Sequence, residues 1–76
     1  PLVAAYAANP PTSLDGARVV DVVALDGAKF VLDDDSWLLL RQSGTEPVLR
    51  VYSEATTEAR RDALLDTGVR MALEPR

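Results

Sequence analysis

A polar run between two apolar stretches has the chemistry to bind an anion. It occupies residues 41–47 and reads RQSGTEP. Arg41 can bind two phosphate oxygens through its planar guanidinium, and the Ser43 and Thr45 hydroxyls add hydrogen-bond donors. Gly44 allows the backbone to come close to a ligand, and the amides around it can converge on an anion. Arg41, Ser43, Gly44 and Thr45 therefore have the chemistry to contact a phosphate.

The same run also has a plain structural interpretation. Serine, glycine and threonine are common in hairpin turns, so residues 43–45 are equally typical of a polar connection between strands. The nucleotide-binding pattern G-x-x-x-x-G-K-[ST] is absent. Glu46 is more typical of a turn or an interdomain contact than of an acid catalyst, because no second carboxylate is placed to partner it. The residues alone leave phosphate binding and a simple turn both open.

Composition argues against a complete enzyme within this chain. The 76 residues suffice for one small domain, which buries only about 60% of the surface that its unfolded chain exposes. There is no cysteine and no histidine, so the usual general base and thiolate metal ligands are absent. A net charge of −4 disfavours nucleic acid and anionic membranes as partners. We expect no catalytic residue, metal ligand or bound cofactor in this chain.

The pattern of apolar and turn-forming residues predicts a small α+β domain. We predict helices over 2–8 and 56–73 and strands over 18–25, 28–32, 37–41 and 48–54. This order indicates a four-stranded antiparallel sheet with helices packed on one face. The prolines at 10 and 11 are also typical of a linker. We therefore predict a helix and linker from a preceding domain over 1–11, a domain over 12–76, and an origin as a fragment of a longer protein.

Several local signals refine this prediction. Asp26-Gly27 has the residues of a two-residue hairpin turn, in which both φ angles are positive. The aspartates at 33–35 lack the ligand spacing of a calcium loop and are typical of a solvated turn. Thr56 or Thr57 can cap the last helix. Gly68 lies in the apolar stripe of that helix, which predicts close approach to the sheet.

Strand alternation predicts where the arginines point. Successive side chains of a strand face opposite sides of the sheet. If the helices cover the face with Leu38 and Leu40, Arg41 and Arg50 both lie on the other, open face. Such a mixed apolar and basic face is typical of a surface that docks another domain. A simpler alternative for Arg50 is an ion pair with Glu54 on the same strand.

Residues 41–54, RQSGTEPVLRVYSE, closely resemble a loop of a known enzyme family. This is the phosphate-binding loop in the C-terminal domain of the α-D-phosphohexomutases, which include phosphoglucomutase, phosphomannomutase and phosphoglucosamine mutase. The string R-x-S-G-T-E-P-x-x-R is long and unusual. The resemblance continues more weakly over most of the chain from about residue 18. The family often has proline at the position of Gln42 and glycine near Ser36, and neither difference removes a phosphate donor.

The resemblance implies a TBP-like fold and a share in a larger active site. In this family a phosphoserine of the first domain exchanges a phosphoryl group with a hexose phosphate, the second domain holds Mg²⁺, and the third recognises the sugar. The fourth domain holds the non-reacting phosphate. Carried over, Arg41, Ser43, Gly44 and Thr45 would contact that phosphate. Arg50 matches the motif and would either join them or support the loop or an interdomain contact.

Two functions follow as expectations. The first is the phosphate-binding C-terminal domain of a cytoplasmic phosphoglucomutase or phosphomannomutase, an isomerase that acts only as the full-length protein. Its partners would be a hexose phosphate and the preceding domains of the same polypeptide. The second is a non-catalytic phospho-ligand-binding or interaction module of the same fold.

Overall fold

The chain forms one antiparallel sheet with two helices on one of its faces. The computed structural model describes residues 2–45 and 48–74. Its elements in order are α1 (Leu2–Ala8), β1 (Ser13–Leu14), β2 (Ala17–Val23), β3 (Ala28–Leu32), β4 (Trp37–Gln42), β5 (Leu49–Glu54) and α2 (Glu58–Leu73). The strands lie side by side in sequence order. The predicted α+β class and antiparallel sheet are confirmed, while the TBP-like fold stays a prediction.

The predicted number of four strands is wrong, because a short fifth strand precedes the others. β1 pairs with β2 through Leu14 and Ala17. Asp15 and Gly16 connect them with φ angles of 50° and 86°. Positive φ at both positions is what a tight two-residue hairpin requires. The sequence therefore contains the signal for this hairpin, but a strand of two residues is too short to show periodicity.

The turn predicted at Asp26-Gly27 differs from the expected two-residue hairpin. Residues 24–27 all lie between β2 and β3. Within this connection only Gly27 has a positive φ, 142°. The connection is therefore longer than the predicted one, and Gly27 alone has the backbone conformation that favours glycine.

The core lies between the sheet and the helices. Its fully buried side chains include Ala28, Phe30, Leu38, Leu40 and Leu64. A Cβ added at Gly68 would lie only 2.5 Å from Cγ1 of Val51. The predicted close approach of α2 to the sheet is thus confirmed. Neither described helix has the length and apolar character needed to cross a membrane.

The first helix also contributes to the core. Tyr6 is only 4% exposed, and its hydroxyl donates a hydrogen bond to the carbonyl oxygen of Met71 at 3.0 Å. This bond joins α1 to the last turns of α2. The boundary between residues 11 and 12 stays a prediction, but α1 packs as part of this domain.

The Arg60 side chain connects the start of α2 to the turns at one end of the sheet. The helix is capped as predicted, since Oγ1 of Thr57 accepts a hydrogen bond from the Arg60 amide at 3.1 Å. The Arg60 guanidinium donates to the carbonyl oxygens of Leu14 and Asp15 and pairs with Asp34 at 3.1 Å. It thereby ties the β1–β2 and β3–β4 turns to the helix. Both turns lie at the opposite end of the sheet from residues 43–48.

The acidic run at 33–35 is exposed, as predicted, but Asp34 has a structural role. It accepts hydrogen bonds from the hydroxyl and the amide of Ser36, which is itself buried. These bonds, with a smaller contribution from Arg60, hold the pKa of the Asp34 carboxyl below its ordinary value of 3.8. Residues 2–45 and 48–74 contain no group of three or more acidic side chains placed to hold a metal ion.

Asp34 should therefore add an acid-sensitive contribution to stability. Because its pKa is lowered on folding, this contribution is complete well above pH 3.8 and is lost as the pH falls through the lowered value. We expect Asp34→Asn to make the free energy of unfolding less dependent on pH in this acid range. Urea denaturation at a series of pH values measures this. Asp66→Asn is the control of equal charge change, and an equal effect of both variants would contradict the assignment.

Candidate phosphate-binding site

The loop of residues 43–48 joins β4 to β5 at one end of the sheet. The Ser43 amide donates to the carbonyl oxygen of Val48 at 2.9 Å. Nε2 of Gln42 donates to the same oxygen at 3.3 Å. These two bonds hold the ends of the loop together, which confirms the predicted hairpin connection. Glu46, for which we predict a turn or an interdomain contact, lies outside the described residues.

Both predicted arginines lie on the open face of the sheet. Arg41 and Arg50 are direct cross-strand partners in the β4–β5 pairing, and both are exposed. On the opposite face of β4, Leu38 and Leu40 are fully buried beneath the helices. The prediction from strand alternation is confirmed, and the register adds that the two guanidinium groups start from directly opposed positions.

This opposition places two like charges together without a described counter-charge. No described carboxylate forms an ion pair with Arg41 or Arg50 within 4.0 Å. The predicted alternative, an ion pair between Arg50 and Glu54, is therefore wrong for this structure. Like charges directly opposed on a sheet are destabilising. A bound anion would remove this repulsion, so the pair (called the arginine pair below) favours an anionic ligand.

The loop offers fewer free amides than the sequence predicts. The Ser43 amide is engaged with Val48, so the three successive amides do not all point to one ligand in this conformation. The Thr45 amide makes a long hydrogen bond of 3.4 Å to Oγ of Ser43. That oxygen acts as the acceptor, so the Ser43 hydroxyl proton remains available to a ligand. Donors for a ligand are thus the Gly44 amide and the hydroxyls of Ser43 and Thr45.

Gly44 differs from the other glycines because the described structure does not require it. Gly16 and Gly27 have positive φ angles, and a Cβ on Gly68 would collide with a side chain of β5. Gly44 has no positive φ, and no described atom lies within 4 Å of the place where its Cβ would stand. Its lack of a side chain therefore leaves space among the described residues, beside an amide that donates to none of them. A ligand that approaches this amide would explain the glycine.

One interaction on the open face has no counterpart in the sequence-based predictions. Nζ of Lys29 lies 4.6 Å from the centroid of the Trp37 ring. Lys29 on β3 pairs directly with Leu39 on β4, and Trp37 lies two residues before Leu39 on the same face. The register between the strands brings them together, and periodicity within each strand does not reveal it.

Comparison with known proteins identifies a family for most of the chain. The family model for the C-terminal domain of phosphoglucomutase/phosphomannomutase matches residues 2–70. This match includes α1, the arginine pair and all but the last turn of α2. It therefore covers both the fold and the candidate site.

Individual relatives agree with this match. The chain is 46% identical over 50 residues to a phosphopentomutase of Thermococcus kodakarensis, which covers 66% of this chain and 11% of that protein. It is 43% identical over 49 residues to a phosphoglucomutase/phosphomannomutase of the same organism, with coverages of 64% and 10%. It is 45% identical over 59 residues to a phosphoglucosamine mutase of Methanococcus aeolicus, with coverages of 75% and 13%.

The chain thus spans only 10–13% of the length of these three relatives. Their names describe mutases, and the family model that matches residues 2–70 of this chain describes a C-terminal domain of such enzymes. The chain therefore belongs to the family of phosphoglucomutase/phosphomannomutase C-terminal domains.

Proposed function

We propose that this chain binds the non-reacting phosphate of a hexose phosphate, as the C-terminal domain of a phosphoglucomutase or phosphomannomutase. The observation that carries the proposal is the arginine pair, two exposed cations directly opposed beside the 43–48 loop without a described counter-charge. The loop adds the free Gly44 amide and two hydroxyl groups at the same end of the sheet.

The expected strength of such a site follows from these donors. A hydrogen bond to a charged group contributes about 1.5–3 kcal/mol net. Arg41 and Arg50 can each supply one or more, and relief of their mutual repulsion adds to the gain. Immobilising a small ligand and ordering both long side chains oppose binding. We therefore expect useful but modest affinity for phosphate alone.

In a complete mutase, this affinity would contribute to positioning. Binding energy from a phosphate remote from the reaction orients the reacting end of the substrate. The phosphoryl transfer and Mg²⁺ binding would be carried out by other domains of that mutase. The domains that precede this one would be its partners, and we propose a cytoplasmic location from the metabolic nature of these mutases.

Replacing Gly44 by alanine tests the proposal at a position that the described fold leaves free. We expect Gly44→Ala to weaken the binding of inorganic phosphate about tenfold, a loss of about 1.4 kcal/mol, because the new Cβ stands beside the donating amide. Its free energy of unfolding should change by less than about 0.5 kcal/mol, as for surface substitutions without special contacts. Phosphate titration followed by NMR and urea denaturation measure the two effects.

Gly16→Ala is the matched control, because Gly16 has a positive φ and lies at the opposite end of the sheet. It should lower stability and leave the phosphate affinity of the folded chain unchanged. Unchanged phosphate affinity in Gly44→Ala would contradict the placement of the ligand beside this amide.

A further inference from the structure

The open face continues from the arginine pair into an apolar strip. The next cross-strand pair of β4 and β5 on this face is Leu39 with Tyr52, and the one after it on the same face is Trp37 with Glu54. Tyr52 is 40% exposed, and no hydrogen bond joins its hydroxyl to a described residue. The arginine pair thus has an accessible aromatic ring beside it on the same face.

The spacing between these pairs suits a phosphosugar. Two residues along a strand span about 6.6 Å, which separates the arginine pair from Tyr52. A hexose ring is joined to its phosphate by an ester oxygen and at most one methylene group. A phosphate held by Arg41 and Arg50 therefore leaves the sugar within reach of the Tyr52 ring.

We propose that Tyr52, packed beside Leu39, contacts the sugar ring of the phosphosugar whose phosphate the arginine pair binds. This inference rests on the proposed function and assigns a further residue to it. The C–H groups of a sugar ring can pack on an aromatic face, while the phenol hydroxyl can exchange hydrogen bonds with the sugar hydroxyls. Tyr52 is then a positioning residue for the sugar.

The surroundings of Tyr52 favour a sugar over an apolar partner. The other aromatic side chain of this face, Trp37, already has Lys29 over its ring at 4.6 Å. Lys29 and Glu54 supply one charged group of each sign beside the strip, where sugar hydroxyls can find hydrogen-bond partners. A single exposed ring with polar groups around it suits a small polyol. The competing occupant is another domain of the polypeptide, as the sequence predicts for this face.

Paired titrations separate the sugar contact from the phosphate contact. The chain is titrated with inorganic phosphate and with glucose 6-phosphate, and the ratio of the two Kd values is compared between variants. We expect Tyr52→Ala to weaken glucose 6-phosphate binding about three- to tenfold and to leave phosphate binding unchanged. Arg41→Ala should weaken both. Val69→Ala, which alters an exposed apolar side chain on α2, should change neither.

A second measurement uses the unmodified chain, so that it does not depend on the folding of a variant. The ring protons of Tyr52 should shift with glucose 6-phosphate and remain unmoved with inorganic phosphate. If they respond alike to both ligands, or if Tyr52→Ala leaves the ratio of Kd values unchanged, the sugar contact is overturned while phosphate binding stands. If the unmodified chain binds neither ligand, the proposed function fails and the sugar contact fails with it.

Discussion

Replacement of Arg41 by alanine is expected to weaken phosphate binding by about ten- to a hundredfold without lowering stability. Each hydrogen bond to a charged group is worth about 1.5–3 kcal/mol, and about 1.4 kcal/mol corresponds to a tenfold change in affinity. Arg50→Ala should have a similar effect, because Arg50 is the direct cross-strand partner of Arg41. Removing either cation also removes the like-charge repulsion. The free energy of unfolding should therefore stay constant or rise by up to about 1 kcal/mol.

Two further variants distinguish a specific role of the arginine pair from a general effect of net charge on phosphate affinity. Arg18→Ala removes an exposed arginine of β2 and should leave phosphate affinity nearly unchanged at constant salt. Arg41→Lys keeps the charge but loses the planar fork, so an intermediate affinity is expected. Calorimetric or NMR titration with inorganic phosphate measures the affinity, and urea denaturation measures the free energy of unfolding. Equal loss of affinity in Arg18→Ala and Arg41→Ala would mean that the phosphate responds only to net charge.

The second large effect is expected at Gly27, where alanine should destabilise the fold by about 2–4 kcal/mol. The φ of Gly27 is 142°, which residues with a side chain rarely adopt. A Cβ would also overlap the carbonyl oxygen of Leu40 and lie 3.1 Å from Cα of Arg41. Both obstacles are backbone atoms of β4, so no change of rotamer can relieve them.

For a domain of this size, such a loss is a large part of the total stability. The midpoint of urea denaturation, measured for Gly27→Ala and for Gly44→Ala, makes the comparison direct because the substitution is the same. We expect a clear decrease for Gly27→Ala and almost none for Gly44→Ala. If the Gly27→Ala chain is as stable as the unmodified one, the connection between β2 and β3 does not approach the backbone of β4 as described.

Local physical signals predicted the parts of the fold that depend on neighbouring residues. The turn-forming residues on either side of β3 predicted its bounds, and strand alternation placed Arg41 and Arg50 on one face. Thr57 was among the predicted caps, because a hydroxyl before a helix can accept a hydrogen bond from an amide of its first turn. In each case the cause lies within a few residues of its effect.

The structure differs from the sequence-based predictions where residues distant in the chain come into contact. β1 is too short for a periodic pattern, although Asp15-Gly16 contains a strong turn signal. Alternation assigns a face but does not fix register, so the direct opposition of Arg41 and Arg50 became visible only in the structure. The hydrogen bond of the Ser43 amide likewise depends on the position of Val48, the residue just before β5.

The most direct test of phosphate binding is an NMR titration of the unmodified chain with inorganic phosphate. We predict saturable shifts of the Gly44 and Thr45 amides and of the side-chain Nε–H groups of Arg41 and Arg50, with little change at the opposite end of the sheet. Resonances of these groups that stay in place at millimolar phosphate, or that move no more than those around Arg60, would contradict the account.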